Sequence, residues 1–242
     1  MNSRFLRELL KWSLYPFTLP IKAGPLVGYK WIPSSGSRFL RGIYEPEKTE
    51  ALCKIVARGD IVLDIGAHVG YFSVLMSSLV GPTGKIFSFE PRGINYTFLK
   101  KHLSKNNCSN VHVIKAAVGN TIGTAYMDTR TGTGTGKLHE AGNLAVKIIS
   151  VDGFYREFPQ YPPPSFMKID VEGAEFEVLK GAEHTIRKFK PRIVLATHSR
   201  QLDLECSQWL TLIGYQSEAI QQLIGDKETI YIHSTKKGEK CL

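Results

Sequence analysis

The stretch Ile61-Val-Leu-Asp-Ile-Gly-Ala-His-Val-Gly-Tyr-Phe-Ser73 decides the fold of this chain. Apart from Asp64, its opening residues are apolar and mostly β-branched, which is typical of a parallel strand buried on both faces. Gly66 and Gly70 then bracket a tight turn, and the apolar residues 71–80 have the length of a helix. A strand, a glycine turn and a helix in this order predict a loop whose backbone N–H groups and helix N-terminus face a ligand.

This loop carries an acid where phosphate-binding loops carry glycines or a lysine. Neither Gly-x-Gly-x-x-Gly nor a P-loop ending in Lys-Ser/Thr occurs here, and Asp64 lies just before Gly66. A carboxylate directed at the loop suits a cationic or amine-bearing ligand better than a pyrophosphate. S-adenosylmethionine (SAM) meets this requirement, because it carries a sulfonium and an ammonium group. The alternative is an ordinary βα turn of an α/β protein.

A second acid follows the next predicted strand, which covers residues 85–89 and ends at Glu90-Pro91. The spacing from Gly70 to Glu90 is that at which an acid meets ribose hydroxyls in βαβ folds, about 20 residues. Glu90 is therefore predicted to bind the ribose of the cofactor, and the alternative is a solvated charge at a strand end.

Downstream segments continue the alternation of strands and helices, with one interruption. Predicted helices cover residues 47–58, 91–106, 176–187 and 202–213, and predicted strands cover 110–115, 165–170, 192–198, 216–219 and 229–233. Residues 124–128 and 145–151 are predicted strands without a helix between them, joined by the Gly- and Thr-rich tract 129–136. We interpret them as an inserted β-hairpin whose tract forms either a lid over a site or a loose tip. The order predicts an α/β fold with a mainly parallel sheet and helices on both faces.

Three residues at or near the carboxyl ends of strands, where open α/β sheets gather ligands, are assigned to the catalytic site: Asp170, His198 and Lys168. Asp170 closes the strand expected beside the glycine loop, so it is well placed for chemistry on a methyl group held there. Lys168 lies on the same side of that strand and needs a partner, which Asp170 or Glu172 could supply. His198 is a candidate base for a hydroxyl nucleophile. The alternatives are a structural Lys–Asp pair and a strand-end histidine with a structural partner.

Methyl transfer from a sulfonium requires the nucleophile, the methyl carbon and the leaving sulfur to be aligned, so positioning carries much of the rate. A hydroxyl acceptor must also lose its proton, which gives a nearby Asp or His a role. Asp170, Glu172 and His198 offer ligands that suit Mg²⁺. No spacing in the sequence demands a metal, so we assign none.

Three motifs resemble the FkbM family of SAM-dependent methyltransferases. They are Val62-Leu-Asp-Ile-Gly-Ala-His-Val-Gly-Tyr71, Phe89-Glu-Pro91 and Met167-Lys-Ile-Asp-Val-Glu-Gly-Ala-Glu175, preceded by a similar lead-in, Tyr44-Glu45-Pro46. The resemblance covers residues 42–215 and implies a class I methyltransferase (Rossmann-like) fold with chemistry near Asp170. The residues assigned to the cofactor are Glu45, Asp64, Gly66, Ala67, His68, Gly70, Tyr71, Glu90, Pro91 and Asp170.

Two positions depart from the pattern of that family. His68 stands where the family usually has asparagine, and Ala196 replaces the acid of a frequent Glu-x-His motif that ends at His198. A metal or dyad function that needs this acid is thereby weakened.

The resemblance implies a SAM-dependent O-methyltransferase, since family members methylate hydroxyls of sugars and macrolides. We expect a sugar hydroxyl, on a glycolipid, a lipo-oligosaccharide or another glycan. The alternatives are O-methylation of a soluble, macrolide-type secondary metabolite and a non-catalytic SAM-fold binding protein. A dehydrogenase of related architecture is disfavoured by the missing Gly-x-Gly-x-x-Gly motif.

Composition fits one globular enzyme domain with an N-terminal addition. The chain has 242 residues, of which 43% are hydrophobic and 22% charged, and its formal net charge is +9. No basic helix or aromatic RNA-binding signature accompanies this charge, so we expect no nucleic-acid partner. The four cysteines, Cys53, Cys108, Cys206 and Cys241, lack Cys-x-x-Cys spacing, which indicates free thiols in a reducing, cytoplasmic location and no zinc site.

The N-terminal part, residues 1–41, is predicted to be a helix followed by an irregular segment, and residues 42–242 are predicted to form the methyltransferase domain. Residues 4–15 fit a short amphipathic helix that ends before Pro16 and Pro20. This helix either packs on the domain or rests on an anionic membrane at its inner face, to which the net charge would draw the protein.

Overall fold

A computed structural model describes residues 17–128, 137–138, 142–221 and 229–235. The predicted helix of residues 4–15, the tract 129–136 and Cys241 lie outside the described residues. Their predictions therefore stay predictions, as does the division of the chain at residue 42.

The strands and helices of the described part follow one another in this order: β1 (Leu19–Pro20), β2 (Lys30–Trp31), α1 (Pro46–Ile55), β3 (Ile61–Ile65), α2 (Tyr71–Val80), β4 (Lys85–Phe89), α3 (Gly93–Lys105), β5 (Val111–Ile114), β6 (Ala117–Val118), β7 (Gly123–Asp128), β8 (Lys137–Leu138), β9 (Leu144–Ile149), α4 (Val151–Glu157), β10 (Phe166–Ile169), α5 (Glu175–Gly181), α6 (Glu183–Phe189), β11 (Arg192–Thr197), α7 (Arg200–Leu212), β12 (Tyr215–Gln221) and β13 (Thr229–Thr235). Two short 3-10 helices, Pro33–Ser35 and Ser37–Arg41, precede α1. No helix within these ranges combines the length and the apolar character needed to cross a membrane.

The central sheet has seven strands in the order β12-β13-β11-β10-β3-β4-β5. Strands β11, β10, β3, β4 and β5 pair in parallel, and β13 runs antiparallel to both β11 and β12. In the register of β10 against β3, Lys168 stands directly beside Asp64. The carboxyl ends of the parallel strands therefore meet along one edge, as the sequence predicts.

Each face of the sheet carries its own hydrophobic core, because successive residues of a strand point to opposite sides. Val62 and Phe166 pack with α1, α2 and α3 on one face, and Leu63 and Met167 pack with α4 to α7 on the other. Asp64 and Lys168 share the face of Val62 and Phe166, so both charged side chains enter an otherwise apolar layer. The predicted arrangement of helices on both faces is confirmed.

The segment before α1 belongs to the first of these cores. Ile21, Leu26, Trp31 and Phe39 are buried in the same cluster as helix residues of the α/β domain. Trp31 stacks on His102 of α3, with ring centroids 3.6 Å apart. His102 Nε2 accepts the backbone N–H of Ile32 at 3.2 Å, and its Nδ1–H donates to the carbonyl of Val69 at 2.7 Å. One neutral imidazole thus connects the N-terminal segment to the glycine loop.

This connection predicts a loss of stability in mild acid. Burial lowers the pKa of His102 from its usual 6.5 to about 4. The unfolded chain therefore takes up the proton first, and the free energy of unfolding falls as the pH drops from about 6.5 towards 4. We expect His102 to account for a loss of about 2 kcal/mol between pH 7 and pH 5. In urea titrations His102→Gln should reduce the pH dependence by this amount, and an unchanged dependence would contradict the assignment.

The inserted β-hairpin is larger than predicted. The expected antiparallel pair is present as β7 and β9, but β6 pairs with β9 and β8 with β7, which gives a four-stranded sheet. The prediction that Val151 ends a strand is wrong, because Val151 begins α4. Ser150 caps this helix by accepting the backbone N–H of Gly153 at 3.0 Å, a local signal that the apolar run of the strand obscured.

The predicted single helix over residues 176–187 is also wrong, since it divides into α5 and α6 at Ala182. Gly181 permits a close approach at this point, because a Cβ placed there would lie 1.9 Å from the carbonyl oxygen of Gly119. Asp152 then caps the new N-terminus by accepting the backbone N–H groups of His184 and Thr185, each at 2.9 Å. The capping residue lies about 30 residues before the helix, so no local sequence pattern predicts this cap.

Candidate functional site

A cavity of about 590 Å³ opens at the carboxyl ends of β3, β4, β10 and β11. Most of the residues that the sequence assigned to the cofactor or to catalysis line it: Glu45, Gly66, Ala67, His68, Tyr71, Glu90, Pro91, Lys168, Asp170 and His198. The fold thus brings together, around one cavity, the predicted residues at four strand ends and Glu45, which directly precedes α1.

Asp64 and Gly70 are assigned residues that lie behind the cavity wall. The Asp64 side chain is fully buried, accepts a hydrogen bond from Ser73 Oγ at 2.6 Å and lies 3.2 Å from Lys168 Nζ. Gly70 precedes α2 and packs against Leu99, which a Cβ at Gly70 would approach to 2.5 Å. Asp64 therefore contacts Lys168 and not the cavity, and Gly70 shapes the turn.

The glycine loop is held between the ends of β4 and β10. A Cβ at Gly66 would lie 1.8 Å from the carbonyl oxygen of Asp170, so only glycine fits there. His68 has a left-handed backbone, with φ of 52°, and its N–H donates to Glu90 Oε2 at 2.9 Å. His68 Nε2 is buried and has no hydrogen-bond partner among the described residues. Such an atom fits a site that a polar ligand completes.

Glu90 is a buried carboxyl group on the cavity wall. Its Oε1 accepts the N–H of Arg92 at 2.9 Å and the side-chain amide of Asn95 at 3.3 Å. Burial raises the pKa of Glu90, the bonds from Arg92, Asn95 and His68 oppose this shift, and the net value is about 7. Glu90 therefore changes its charge near neutral pH.

Lys168 is a buried cation that reaches from β10 towards the glycine loop. Its Nζ donates to the carbonyl of Gly66 at 2.9 Å and lies 3.2 Å from Asp64 and 3.8 Å from Asp170. The sequence predicted Asp170 or Glu172 as its partner, whereas the closest carboxylate is Asp64. Although burial disfavours the charge, Asp64 and Asp170 outweigh this and raise the pKa of Lys168.

A second buried lysine, Lys48 of α1, was missed by the sequence analysis. Its Nζ donates to Asp170 Oδ2 at 2.8 Å and lies 2.6 Å from Glu45 Oε2. The side chain of Lys48 is only 1% exposed, so its charge depends on these carboxylates. The spacing from Glu45 to Lys48 suits a helical ion pair, but its contact with Asp170 joins segments that are distant in sequence.

His198 sits among three carboxylates. Its Nδ1–H donates to the buried Glu175 at 2.8 Å, and its Nε2 lies 3.7 Å from Asp170 Oδ1 and 3.6 Å from Glu172 Oε2. The acid missing at Ala196 is therefore supplied by Glu175, from the turn after β10. A histidine–carboxylate dyad exists despite the departure at Ala196.

The charges around Asp170 and His198 determine the protonation states of the two side chains. Burial alone would raise the pKa of Asp170, but Lys48, Lys168 and His198 lower it well below its usual range. Burial alone would lower the pKa of His198, but the bond to Glu175 and the charges of Asp170 and Glu172 raise it to about 9. Near neutral pH the pair is an ionised carboxylate beside an imidazolium, which suits orientation and charge stabilisation better than proton abstraction.

Further cavity residues come from segments without a sequence motif. The residues before α1 contribute Arg38, Phe39 and Tyr44, and the inserted sheet contributes Met127. The Arg38 guanidinium lies over the rings of Phe39 and Tyr44, at 5.3 and 4.7 Å from their centroids. The available signal in this segment is the presence of aromatic residues between Gly, Pro and Ser.

Comparison with known proteins identifies the family. A model of the methyltransferase FkbM domain matches residues 64–223, more than half of the chain. The chain belongs to the FkbM methyltransferase family. The family predicted from the motifs around Asp64, Glu90 and Asp170 is confirmed.

Two relatives show how far the family likeness extends. Hexuronic acid methyltransferase AglP of Haloferax volcanii is 27% identical over 152 residues, which cover 62% of this chain and 60% of that protein. Methyltransferase sdnD of Sordaria araneosa is 28% identical over 170 residues, which cover 56% of this chain and 65% of that protein. The chain thus spans less than two thirds of the length of either relative.

Solved structures show the same fold. Methyltransferase FkbM from Methylobacillus flagellatus KT superposes with a TM-score of 0.56 at 20% identity, over 72% of this chain and 43% of that one. Fibrillarin of Aeropyrum pernix, solved with natively bound SAM, superposes with a TM-score of 0.50 at 16% identity, over 78% of this chain and 73% of that one. The predicted class I methyltransferase fold is confirmed.

Proposed function

We propose that this protein is a SAM-dependent O-methyltransferase that methylates a sugar hydroxyl on a glycolipid, a lipo-oligosaccharide or another glycan. One observation carries the proposal: the glycine loop and Glu90 share a single cavity with Asp170, Glu172 and His198. We assign the first group to a cofactor half of the cavity and the second group to an acceptor half. A relative named for methylation of a hexuronic acid supports a sugar as the acceptor class.

The cofactor half consists of the loop from Gly66 to His68 together with Glu90. We assign to Glu90 the ribose hydroxyls, and to the unpartnered Nε2 of His68 a polar group of the same ligand. Lys168 holds the loop by its bond to the carbonyl of Gly66. When bound, SAM supplies a methyl group on a sulfonium, and an acceptor oxygen gains this methyl as the sulfur becomes a thioether.

The acceptor half consists of Asp170, Glu172 and His198. Asp170 is fixed by Lys48 through Oδ2, so its Oδ1 faces the imidazole of His198. These groups can accept and donate hydrogen bonds to a hydroxyl and hold its oxygen in line with the methyl group. The hydroxyl proton leaves to solvent as the O–C bond forms.

The proposal is tested by incubating the protein with methyl-deuterated SAM and glycan, glycolipid and macrolide acceptors, followed by mass spectrometry. We expect a product heavier by one trideuteromethyl group in place of hydrogen, with a sugar acceptor preferred over a macrolide. Binding of SAM without transfer to any hydroxyl would instead support a non-catalytic binding protein.

The pKa of Glu90 predicts how SAM affinity varies with pH. A carboxylate accepts hydrogen bonds from both ribose hydroxyls, whereas the protonated group loses part of this capacity. With a pKa of about 7, the ionised fraction should fall about twentyfold from pH 7.5 to pH 5.5, and the affinity should fall by up to this factor. Calorimetry should show this fall in the native protein and a weak, pH-independent affinity in Glu90→Gln. Equal pH profiles in the two proteins would exclude Glu90 as the group responsible.

A further inference from the structure

We propose that Asp170, Glu172 and His198 form a binding site for a divalent cation of the Mg²⁺ or Mn²⁺ class. One oxygen of each carboxylate and one imidazole nitrogen lie within 4.8 Å of one another. Two ligands on opposite sides of an Mg²⁺ ion, each at about 2.1 Å, lie about 4.2 Å apart. The three side chains can therefore reach a common ion with small movements.

The donor atoms lie close together on the cavity wall. His198 Nε2 lies 3.7 Å from Asp170 Oδ1 and 3.6 Å from Glu172 Oε2. These separations lie between the roughly 3.0 Å of adjacent ligands and the roughly 4.2 Å of opposite ligands of an octahedral ion. All three side chains are accessible from the cavity, with exposed fractions of 17% for Asp170 and His198 and 30% for Glu172. An ion bound there would retain open positions for water or for oxygen atoms of an acceptor.

Each of two ligands is oriented by a residue bonded to its far side. The Nδ1–H of His198 donates to Glu175, whose side chain is fully buried and also accepts the N–H of Gly173 at 2.9 Å. Metal-bound histidines are held in this way, by a carboxylate on the ring nitrogen that does not bind the ion. Lys48 occupies Oδ2 of Asp170 and leaves Oδ1 facing His198. This supporting layer distinguishes the cluster from a chance group of acids.

The charges of the cluster also favour a cation. Asp170, Glu172 and Glu175 surround one imidazole. Lys48 is shared between Asp170 and Glu45, and Lys168 between Asp170 and Asp64, so the carboxylates outnumber the lysines. The alternative to an ion is a proton on Nε2 of His198, which would neutralise the carboxylates without a metal. The two alternatives predict opposite results in a metal titration.

The ion would give the acceptor half of the cavity a way to recognise its substrate. Oxygen donors on adjacent carbons, such as two sugar hydroxyls or a hydroxyl beside a carboxylate, can occupy two open positions of one ion. This use of the ion rests on the proposed function, whereas its binding does not. The hydroxyl to be methylated would then be held by the ion beside the methyl group of SAM.

The test is a titration of the full-length protein with Mn²⁺, in which electron paramagnetic resonance measures the free ion. We expect one site per chain, from which Mg²⁺ displaces Mn²⁺, and at least tenfold weaker binding in Glu172→Gln. Glu177→Gln serves as the matched control, because Glu177 pairs with Lys180 on the surface of α5, outside the cluster. It should bind Mn²⁺ like the native protein, and circular dichroism should show that both variants are folded.

Absence of Mn²⁺ binding at millimolar concentration, or equal binding in Glu172→Gln, would overturn the site. Methyl transfer that persists in EDTA would exclude a role for the ion in the reaction and would still support the proposed function. Binding of Mn²⁺ without methyl transfer to any hydroxyl would support the metal site and contradict the proposed function.

Discussion

Replacing Lys168 with methionine is expected to lower the free energy of unfolding by about 3–5 kcal/mol, because it leaves the fully buried Asp64 without its cation. Methionine keeps most of the volume of the side chain, so packing is nearly preserved. Ser73 would still donate to Asp64, but one hydrogen bond from an uncharged hydroxyl does not replace the interaction with the lost cation. Urea unfolding at pH 7, followed by circular dichroism, measures the change.

Lys54→Met is the matched control for this substitution. Lys54 pairs with Glu50 at 2.6 Å, but its side chain is 70% exposed, so the pair is screened by water. The control should unfold like the native protein. A loss of less than about 1 kcal/mol in Lys168→Met would show that the buried pair is not needed for stability.

Replacing Asp170 with asparagine is expected to lower kcat by about a hundredfold or more, while the dissociation constant of SAM changes by only a few-fold. Asparagine keeps the shape of the side chain but loses the negative charge that faces His198 and Lys48. A carboxylate that aligns the acceptor is needed mainly in the transition state. Initial rates with labelled SAM, combined with calorimetry, separate the two effects.

Asp203→Asn is the control for Asp170→Asn, since Asp203 lies on α7 and accepts a hydrogen bond from Tyr231 at 3.3 Å, away from the cavity wall. It should turn over at the native rate. Normal turnover in Asp170→Asn would make Asp170 structural and leave His198 as the side chain to test next.

The local elements of the cofactor half could be predicted from the sequence, because their signals are contained in a few neighbouring residues. The predicted bounds of β3, α2 and β4 agree with the structure. A nearly continuous apolar strand, a glycine turn and an apolar helix need no knowledge of distant contacts. The same holds for Glu90, whose position at a strand end follows from the pattern of β4.

The roles of Asp64 and His198 could not be predicted in the same way. Whether Asp64 faces a ligand or a lysine depends on the register of β3 against β10, which sets Asp64 beside Lys168. The family motif has its acid two residues before the histidine, where this chain has Ala196, but Glu175 reaches His198 from the turn after a neighbouring strand. Both contacts are made by tertiary packing, as is that of Lys48 with Asp170.

Transfer of a ¹³C-labelled methyl group from SAM to an isolated glycan acceptor, followed by NMR of the product, tests the central claim most directly. A hexuronic acid is an informative acceptor, because it offers both ring hydroxyls and a carboxylate to the same enzyme. The proposed function predicts long-range coupling of the methyl protons to a ring carbon of the sugar, as in a methyl ether. Coupling to a carboxyl carbon, as in a methyl ester, or a product without the label would contradict it.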